Sequence, residues 1–287
     1  MESFYLRTAI GLAVAVALAV RGLKRKSLDR SGALAAAFVG FFSFASNLRS
    51  GLLLILFYLS SSRLTKWKQE IKKKLDADYK PGGERNWVQV LSASLFGTFL
   101  SVVHFLIVQE DSNIFQLESS IPHRKLMCGI LGFYATCCSD TWASEIGILN
   151  VDWPFLITTL KPVPPGTNGG ISLTGLVASV AGGFFIGFSF WFSGILLRLN
   201  SPWEDVKVIP FSTIMGLLGS LLDSLLGATL QETYYDMRLK MIVKPPTKEQ
   251  GDGDPNVKHV CGVNRLDNQQ VNIISAIAIS LFAIVVS

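Results

Sequence analysis

The sequence predicts an all-α fold, a polytopic membrane helix bundle of about eight transmembrane helices with a polar site that faces the cytosol. Three observations support this prediction: 49% of the residues are hydrophobic, 16% are charged, and long apolar segments recur along the chain. Soluble domains carry about a quarter charged residues, whereas an apolar helix of about 20 residues crosses a bilayer. We therefore treat residues 1–287 as a single integral membrane domain.

Eight apolar segments have, or approach, the length of a membrane helix. In chain order they cover residues 4–20, 30–47, 50–62, 88–108, 126–147, 172–197, 208–231 and 269–287. The third segment is short for a bilayer, so we expect it to be tilted or re-entrant. The first is followed by its basic cluster, an order that favours a retained helix over a cleaved signal peptide.

The basic residues indicate which loops face the cytosol. They crowd two loops separated by two predicted helices, so both loops should lie on the cytosolic side. The first cluster is Arg21, Lys24, Arg25, Lys26 and Arg30; the second is Arg63, Lys66, Lys68, Lys72, Lys73, Lys74, Lys80 and Arg85. The acidic residues Glu110, Asp111 and Glu118 indicate an outer loop. Alternation then places residues 63–87, 148–171 and 232–268 in the cytosol, and the net charge of +5 reflects topology and not a nucleic-acid partner.

Two aspartates interrupt the predicted membrane helices. Asp140 lies in segment 126–147 and Asp223 in segment 208–231. Placing an ionised carboxylate in the hydrocarbon of a membrane costs roughly 3 kcal/mol of free energy unless it faces protein, water or a cation. Each shares a helical face with small residues: Gly129, Gly132, Thr136, Ala143 and Gly147 for the first, and Gly216, Ser220 and Gly227 for the second. Since small residues let helices approach closely, both carboxylates should point into the bundle.

The acidic side chains suggest a Mg²⁺ site. Mg²⁺ is typically held by one or two carboxylates together with substrate phosphates. On a regular helix Asp140 and Glu145 point about 140° apart, so Asp140 and Asp223 form the more natural metal pair. Glu145 would position a water or a donor. A proton relay or a coupling-ion site would use the same residues, so the acids alone do not distinguish an enzyme from a transporter.

A proline- and glycine-rich segment precedes the sixth apolar helix. Lys161 opens it, and its second half consists of Gly166, Thr167, Asn168, Gly169 and Gly170. Free backbone N–H groups, a helix N-terminus and a nearby Lys together favour phosphate binding. The segment lacks the Gly-Lys-Ser/Thr of a Walker A loop. The alternative interpretation is a rigid loop that enters a membrane helix.

Amide side chains open the fourth and eighth helices. Asn86 and Gln89 begin one of them, and Asn268 and Asn272 begin the other. Each start places an Asn at the expected N-cap, so helix capping is the simpler explanation. Two amides within one or two turns also suit a polar site.

Four motifs resemble the integral membrane family that contains animal transmembrane protein nineteen and the plant phytyl-phosphate kinase. They lie at residues 86–90, 139–147, 165–170 and 223–228, and the likeness extends over essentially the whole chain. Residues 5–7 and 25–29 are similar to its plant PGR branch. The resemblance implies a kinase that adds a second phosphate to an isoprenoid monophosphate. It also implies Mg²⁺ and a nucleoside triphosphate, which is CTP in the phytyl case.

Carried onto this chain, the resemblance and the chemistry assign roles to the residues above. Asp140, Glu145 and Asp223 would be catalytic, with the two aspartates as metal ligands. The phosphate-binding residues would be Lys161, Gly166, Thr167, Asn168, Gly169, Gly170 and Arg85, and the orienting amides would be Asn86, Gln89, Asn268 and Asn272.

Three functions stay open at this point. The first is the kinase, with the bilayer, an isoprenoid phosphate and a nucleotide as partners. The second is a non-catalytic plasma-membrane regulator of glucose-responsive growth, the property associated with the PGR branch. The third is a transporter of a phosphorylated or anionic solute. The branch resemblance favours the plasma membrane, with the endoplasmic reticulum as the alternative. A plastid is disfavoured because the chain opens without a long Ser- and Arg-rich segment.

Overall fold

The computed structural model describes residues 2–75, 83–108, 112, 114–115, 119–197, 204–243 and 255–287, with only the backbone described for residues 2–4 and 6. The helices in these ranges are α1 (Glu2–Lys24), α2 (Arg30–Ser46), α3 (Leu48–Lys66), α4 (Gln69–Lys72), α5 (Trp87–Ser92), α6 (Leu95–Ile107), α7 (Ile121–Gly147), α8 (Leu173–Leu196), α9 (Val208–Leu230) and α10 (Asn268–Val286). The strands are β1 (Phe155–Leu156), β2 (Gly170–Ile171), β3 (Thr233–Asp236), β4 (Met241–Val243) and β5 (Val257–Cys261).

The strands correct the prediction of an all-α fold, because the described residues are mainly helical with two small antiparallel sheets. Strands β1 and β2 form a pair, and β3 lies between β4 and β5 in a three-stranded sheet. Both sheets lie in segments that the sequence predicted as cytosolic loops. Their strands are two to five residues long, far shorter than the apolar runs by which membrane helices are recognised.

Three helical segments are long and apolar enough to cross a membrane, judged by length and composition within the described ranges. They are Leu173–Leu196, Asp205–Leu230 and Asn268–Val286. Helices α2 and α6 are apolar but shorter. The predicted number of about eight spans is not confirmed by this criterion and stays a prediction.

Two predicted spans differ in length or continuity from the structure. The third was predicted at residues 50–62, yet α3 has 19 residues, since Asn47 caps it by accepting a hydrogen bond from Ser50 N. The fourth is broken into α5 and α6. At the break the Ser94 hydroxyl donates to the Val90 carbonyl (2.6 Å), a side-chain bond of the kind that competes with regular helix geometry.

Helix α7 occupies the centre of the bundle. Its Met127, Ile130 and Phe133 side chains are fully buried. Glycines on the neighbouring helices allow close approach to it. A Cβ atom added to Gly182 of α8 would lie only 2.8 Å from Ser139 Cα.

The three segments predicted as cytosolic meet at one end of the bundle. Ile242 N donates to the Leu75 carbonyl (3.2 Å), and Asn168 N donates to Thr233 Oγ1 (3.3 Å). The side of the membrane on which this end lies stays a prediction. Lys80, Glu110, Asp111 and Glu118, which support that prediction, lie outside the described residues.

Candidate functional site

A polar cavity of about 470 Å³ opens where α7, α9 and α10 meet residues 165–172. We refer to it as the polar cavity. Twelve of the fourteen predicted site residues line it: Arg85, Gln89, Asp140, Glu145, Gly166, Thr167, Asn168, Gly169, Gly170, Asp223, Asn268 and Asn272. The structure thus brings together side chains from five separate parts of the sequence. Lys161 and Asn86 do not line the cavity.

The two aspartates lie on different helices and close enough for their charges to interact. Asp223 accepts a hydrogen bond from Ser275 Oγ (2.9 Å). The Asn272 amide nitrogen donates to the Asn268 carbonyl oxygen (2.8 Å) when the amide is oriented to satisfy both of its hydrogen-bond partners. In that orientation it also donates to Asp223 Oδ2 (3.2 Å). Asp140 accepts no hydrogen bond from any described protein group, so its carboxylate is left facing the cavity.

Hydroxyl groups surround the two carboxylates. Thr136 lies one turn before Asp140 and is 1% exposed, and its hydroxyl has no hydrogen-bond partner among the described residues. Ser220 and Ser224 flank Asp223 and also line the cavity. A buried hydroxyl without a partner is unfavourable unless water or a ligand satisfies it.

The Mg²⁺ ion that the resemblance implies fits this set of donors. Asp140 and Asp223 supply two carboxylates, and the hydroxyls nearby are also oxygen donors. Among the described residues no group of three or more His, Cys, Asp or Glu could hold a metal ion. Two carboxylates would leave the remaining ligands of such an ion to water and substrate phosphates, the arrangement that Mg²⁺ typically has.

Glu145 has two protein partners. Thr65 Oγ1 donates to Glu145 Oε1 (2.5 Å), and Lys72 Nζ donates to Glu145 Oε2 (2.6 Å) with 2% of the lysine side chain exposed. Both oxygens are therefore engaged. The structure favours a structural role, in which Glu145 fastens the end of α7 to α3 and α4, over the predicted positioning of a water.

Arg85 lines the cavity from a fixed backbone position. Arg85 N donates to Ser27 O (3.1 Å), and Asp29 N donates to Arg85 O (3.0 Å). The guanidinium donates to Ser62 Oγ (3.0 Å) and to Thr65 Oγ1 (3.4 Å).

Within the described residues, the charge of Arg85 is not balanced by an ion pair. No carboxylate lies within 4.0 Å of its guanidinium in the described part of the chain. Burial lowers the pKa of Arg85, and the charge of Glu145 opposes that shift. An arginine stays protonated in proteins, so a cation with spare donors faces the cavity.

The glycine-rich segment forms a tight turn. Gly166 and Gly169 have φ values of 88° and 74°, which glycine adopts without strain. A Cβ atom on Gly169 would lie 2.4 Å from the Ala228 Cβ atom of α9. Close packing against α9 therefore requires glycine at this position.

The turn offers fewer free N–H groups than the sequence predicted. Thr167 N donates to Pro164 O (3.2 Å), Gly170 N donates to Thr167 O (3.0 Å), and Asn168 N bonds to Thr233 Oγ1 as described above. These protein bonds support the alternative of a rigid loop. The N-terminus of α8 still faces the cavity through Ser172 and Gly175, where its dipole favours an anion.

The predicted roles of Lys161 and Asn86 have no support in the structure. Lys161 is exposed, and its carbonyl accepts from Leu156 N (2.9 Å) in the segment between β1 and β2. Asn86 caps α5, where it accepts from Gln89 N (3.1 Å) while Gln89 Oε1 accepts from Asn86 N (3.1 Å). This reciprocal pair is a capping box.

The start of α10 differs by one residue from the prediction. Asp267, and not Asn268, is the N-cap, and it accepts from Gln270 N (2.9 Å). Asn268 and Asn272 are therefore inside the helix, where positions four and seven residues apart share a face. Ser275 completes this face and was missed, although the spacing of these three polar residues could have indicated it.

Comparisons with known proteins place the chain among membrane proteins. The sequence model of one family, described as integral membrane protein DUF92, matches residues 13–280. Protein PGR of Arabidopsis thaliana is 38% identical over 98% of this chain and 96% of its own length. A membrane protein of Methanocaldococcus jannaschii is 28% identical over 79% of this chain and 84% of its own length. Protein VTE6, chloroplastic, of Arabidopsis thaliana is 28% identical over 71% of this chain and 57% of its own length.

No solved structure matches the chain. The family match covers most of the sequence and agrees with the mainly helical, apolar architecture. The chain therefore belongs to the integral membrane protein DUF92 family.

Proposed function

We propose that the protein is a membrane-embedded kinase that transfers a phosphate from a nucleoside triphosphate to an isoprenoid monophosphate of the prenyl or phytyl type. One observation carries this proposal: carboxylates from α7 and α9 line a single cavity together with Arg85. The resemblance to the family of the plant phytyl-phosphate kinase supports the same reaction class. An oxygen of the monophosphate attacks the γ-phosphorus, the bond to the β–γ bridging oxygen breaks, and the nucleoside diphosphate leaves.

The charges of the cavity fit phosphates only with a cation present. Asp140 and Asp223 would otherwise repel an anionic substrate, and Lys72 already neutralises Glu145. When bound at the two aspartates, Mg²⁺ would neutralise charge on the phosphates that it contacts. Arg85 and the N-terminus of α8 supply positive potential from the protein itself.

The segments that follow α3, α7 and α9 meet at one end of the bundle, which supports the finer prediction of eight crossings. Helices α1, α2, α3, α7, α8, α9 and α10 would each cross once, and α5 and α6 together would make the eighth crossing. The polar cavity would then open toward the cytosol, where nucleotides are available. The positive-inside rule favours this orientation.

The kinase proposal is tested with purified protein, radiolabelled nucleoside triphosphates and a panel of prenyl monophosphates, with and without Mg²⁺. Wild type should form prenyl diphosphate only with Mg²⁺. Asp140→Asn should lower turnover by about 10²-fold or more, since it removes a charge from the reacting site. Asp152→Asn is the matched control, because Asp152 is exposed and does not line the cavity.

Retained turnover in Asp140→Asn would contradict the proposal, as would turnover that is independent of Mg²⁺. A non-catalytic regulator of growth is the second candidate, favoured by the nearly full-length match to Protein PGR. For that function, the Asp140→Asn, Asp223→Asn double variant should complement a knockout as well as wild type does.

A further inference from the structure

We infer that an apolar pocket beside the polar cavity receives the first carbon atoms of the ligand's single hydrocarbon chain, next to its phosphate. The inference rests on the proposed function for the identity of the ligand. Its observations are independent of the aspartates, because they concern a second pocket and the wall between the two spaces.

The apolar pocket has a volume of about 80 Å³ and lies between α1, α2, α3 and α5. Its lining is mostly hydrocarbon, and small residues leave the space open. Representative lining residues are Ala15, Leu18, Ala36, Leu54 and Val90. An apolar cavity of this kind is poorly hydrated and binds hydrocarbon readily.

The two spaces share a wall. Phe57, Arg85, Gln89 and Ala93 line both the apolar pocket and the polar cavity. Phe57 and Ala93 are apolar, whereas Arg85 and Gln89 are polar, so the lining changes from apolar to polar across this wall. An amphiphile with a charged head directly attached to its chain matches this change.

Arg85 marks where the charged head should lie. Its guanidinium has two hydroxyl partners, Ser62 and Thr65, which leaves donors for a phosphate, since a guanidinium carries five N–H groups. A phosphate at Arg85 would have the polar cavity on one side and the apolar pocket on the other. The first carbons of its chain therefore enter the apolar pocket.

The size of the pocket sets the specificity. An apolar cavity of about 150 Å³ holds one benzene molecule, so about 80 Å³ accommodates roughly three or four carbon atoms. One chain fits next to its phosphate, whereas the glycerol backbone and second chain of a phosphatidic acid do not. We therefore expect the protein to distinguish single-chain lipid phosphates from two-chain ones.

The experiment measures binding of radiolabelled geranylgeranyl monophosphate to detergent-purified protein without nucleotide. Ala36→Leu places extra carbons in the apolar pocket and should weaken binding by about tenfold to fiftyfold, which corresponds to displacing about two or three methylene groups. It should leave the binding of inorganic pyrophosphate unchanged. Ala17→Leu is the matched control, since Ala17 is exposed on α1 and outside the pocket. Phosphatidic acid should compete poorly with the probe in wild type.

A second measurement does not depend on a substitution. A geranylgeranyl monophosphate analogue with a diazirine near its phosphate should label α1, α2, α3 or α5 on photolysis, since these helices line the apolar pocket. Labelling confined to α8 or α9 would overturn the inference, as would equal affinity of Ala36→Leu and wild type, equal competition by phosphatidic acid, or no binding of the probe to wild type.

The outcomes separate this inference from the kinase proposal. Binding that depends on Ala36 without any turnover would support the pocket and contradict the kinase. Turnover that depends on Asp140 but not on Ala36 would support the kinase and contradict the pocket.

Discussion

The two cavity aspartates differ in the number of protein groups that hold them. Asp223 has hydrogen bonds from Ser275 and Asn272, whereas Asp140 receives none from the described residues. The position of Asp223 is therefore set before any ligand arrives. Asp140 has its oxygens available for a cation, which is why we chose it for the decisive substitution.

Lys72 and Glu145 allow a test at a single ion pair. Lys72→Met leaves the Glu145 carboxylate with Thr65 as its remaining donor among the described residues, and should destabilise the protein by about 1–3 kcal/mol. Adding Glu145→Gln should recover most of this loss, because the unpaired charge is then gone. Thermal unfolding in detergent measures both effects.

The stable double variant also tests the role of Glu145. If Glu145 is structural, the Lys72→Met, Glu145→Gln variant should keep most of the wild-type activity. A stable but inactive double variant would restore the catalytic role that the sequence predicted for Glu145.

The sequence indicated some of the important residues and not others, for physical reasons. Asp140 and Asp223 stand out because a carboxylate in an apolar run needs a partner. Lys72 lies in a run of lysines, and the positive-inside rule already accounts for such a run in a cytosolic loop. The sequence therefore offered no reason to expect that this lysine is buried. Lys161 has the right chemistry in the right segment, but it is exposed and does not line the cavity.

Among the helices, α7 and α8 approach each other through glycine. A Cβ atom on Gly182 would lie 2.8 Å from Ser139 Cα, which is too close to accommodate without movement of one helix. Gly182→Ala should therefore destabilise the protein by about 1–3 kcal/mol and lower its Tm.

Gly175→Ala on the same helix is the control for this prediction. The nearest atom to its added Cβ is the Ser172 hydroxyl oxygen at 3.2 Å, so the contact is longer than at Gly182 and is made to a side chain and not to backbone. Equal Tm values for the two variants would contradict the argument from close packing.

Helices were easier to predict than strands or breaks. A long apolar run identifies a membrane helix from composition alone. The break between α5 and α6 depends on how the Ser94 side chain bonds to the backbone, and serines within membrane helices do not always have this effect. The short strands depend on pairing between distant segments, and β3 pairs with β5 across more than twenty residues.

For the molecule as a whole, the orientation in the membrane gives a direct prediction. Single cysteines at Val151 and Val263, both exposed at the cavity end, should react with an impermeant maleimide from the cytosolic side. A cysteine at Ile121, exposed at the other end of α7, should react from outside. The native cysteines serve as the background, measured in the unsubstituted protein.

Labelling of all three positions from one side would contradict the proposed topology. Labelling of Val151 and Val263 from opposite sides would separate the segments that the structure joins at one end. Sealed vesicles of both orientations are needed, so that protection can be distinguished from burial.

The assembly of the site could be predicted only in part. Alternating topology brought segments 63–87, 148–171 and 232–268 to one side, and so indicated which end of the bundle to examine. It could not show that Arg85 lies between a polar and an apolar space. That position depends on the packing of α5 against α2 and on the bonds from Arg85 to Ser62 and Thr65 of α3, for which a single sequence carries no direct signal.

The turn at Gly166–Gly170 has a mechanical consequence. It is hydrogen-bonded to β3 through Asn168 and packed against α9 at Gly169, so this wall of the polar cavity should stay fixed when a ligand enters. Any movement that admits or releases a bulky molecule should therefore involve another part of the lining, such as Gln89, Ser92 and Ala93 at the break between α5 and α6.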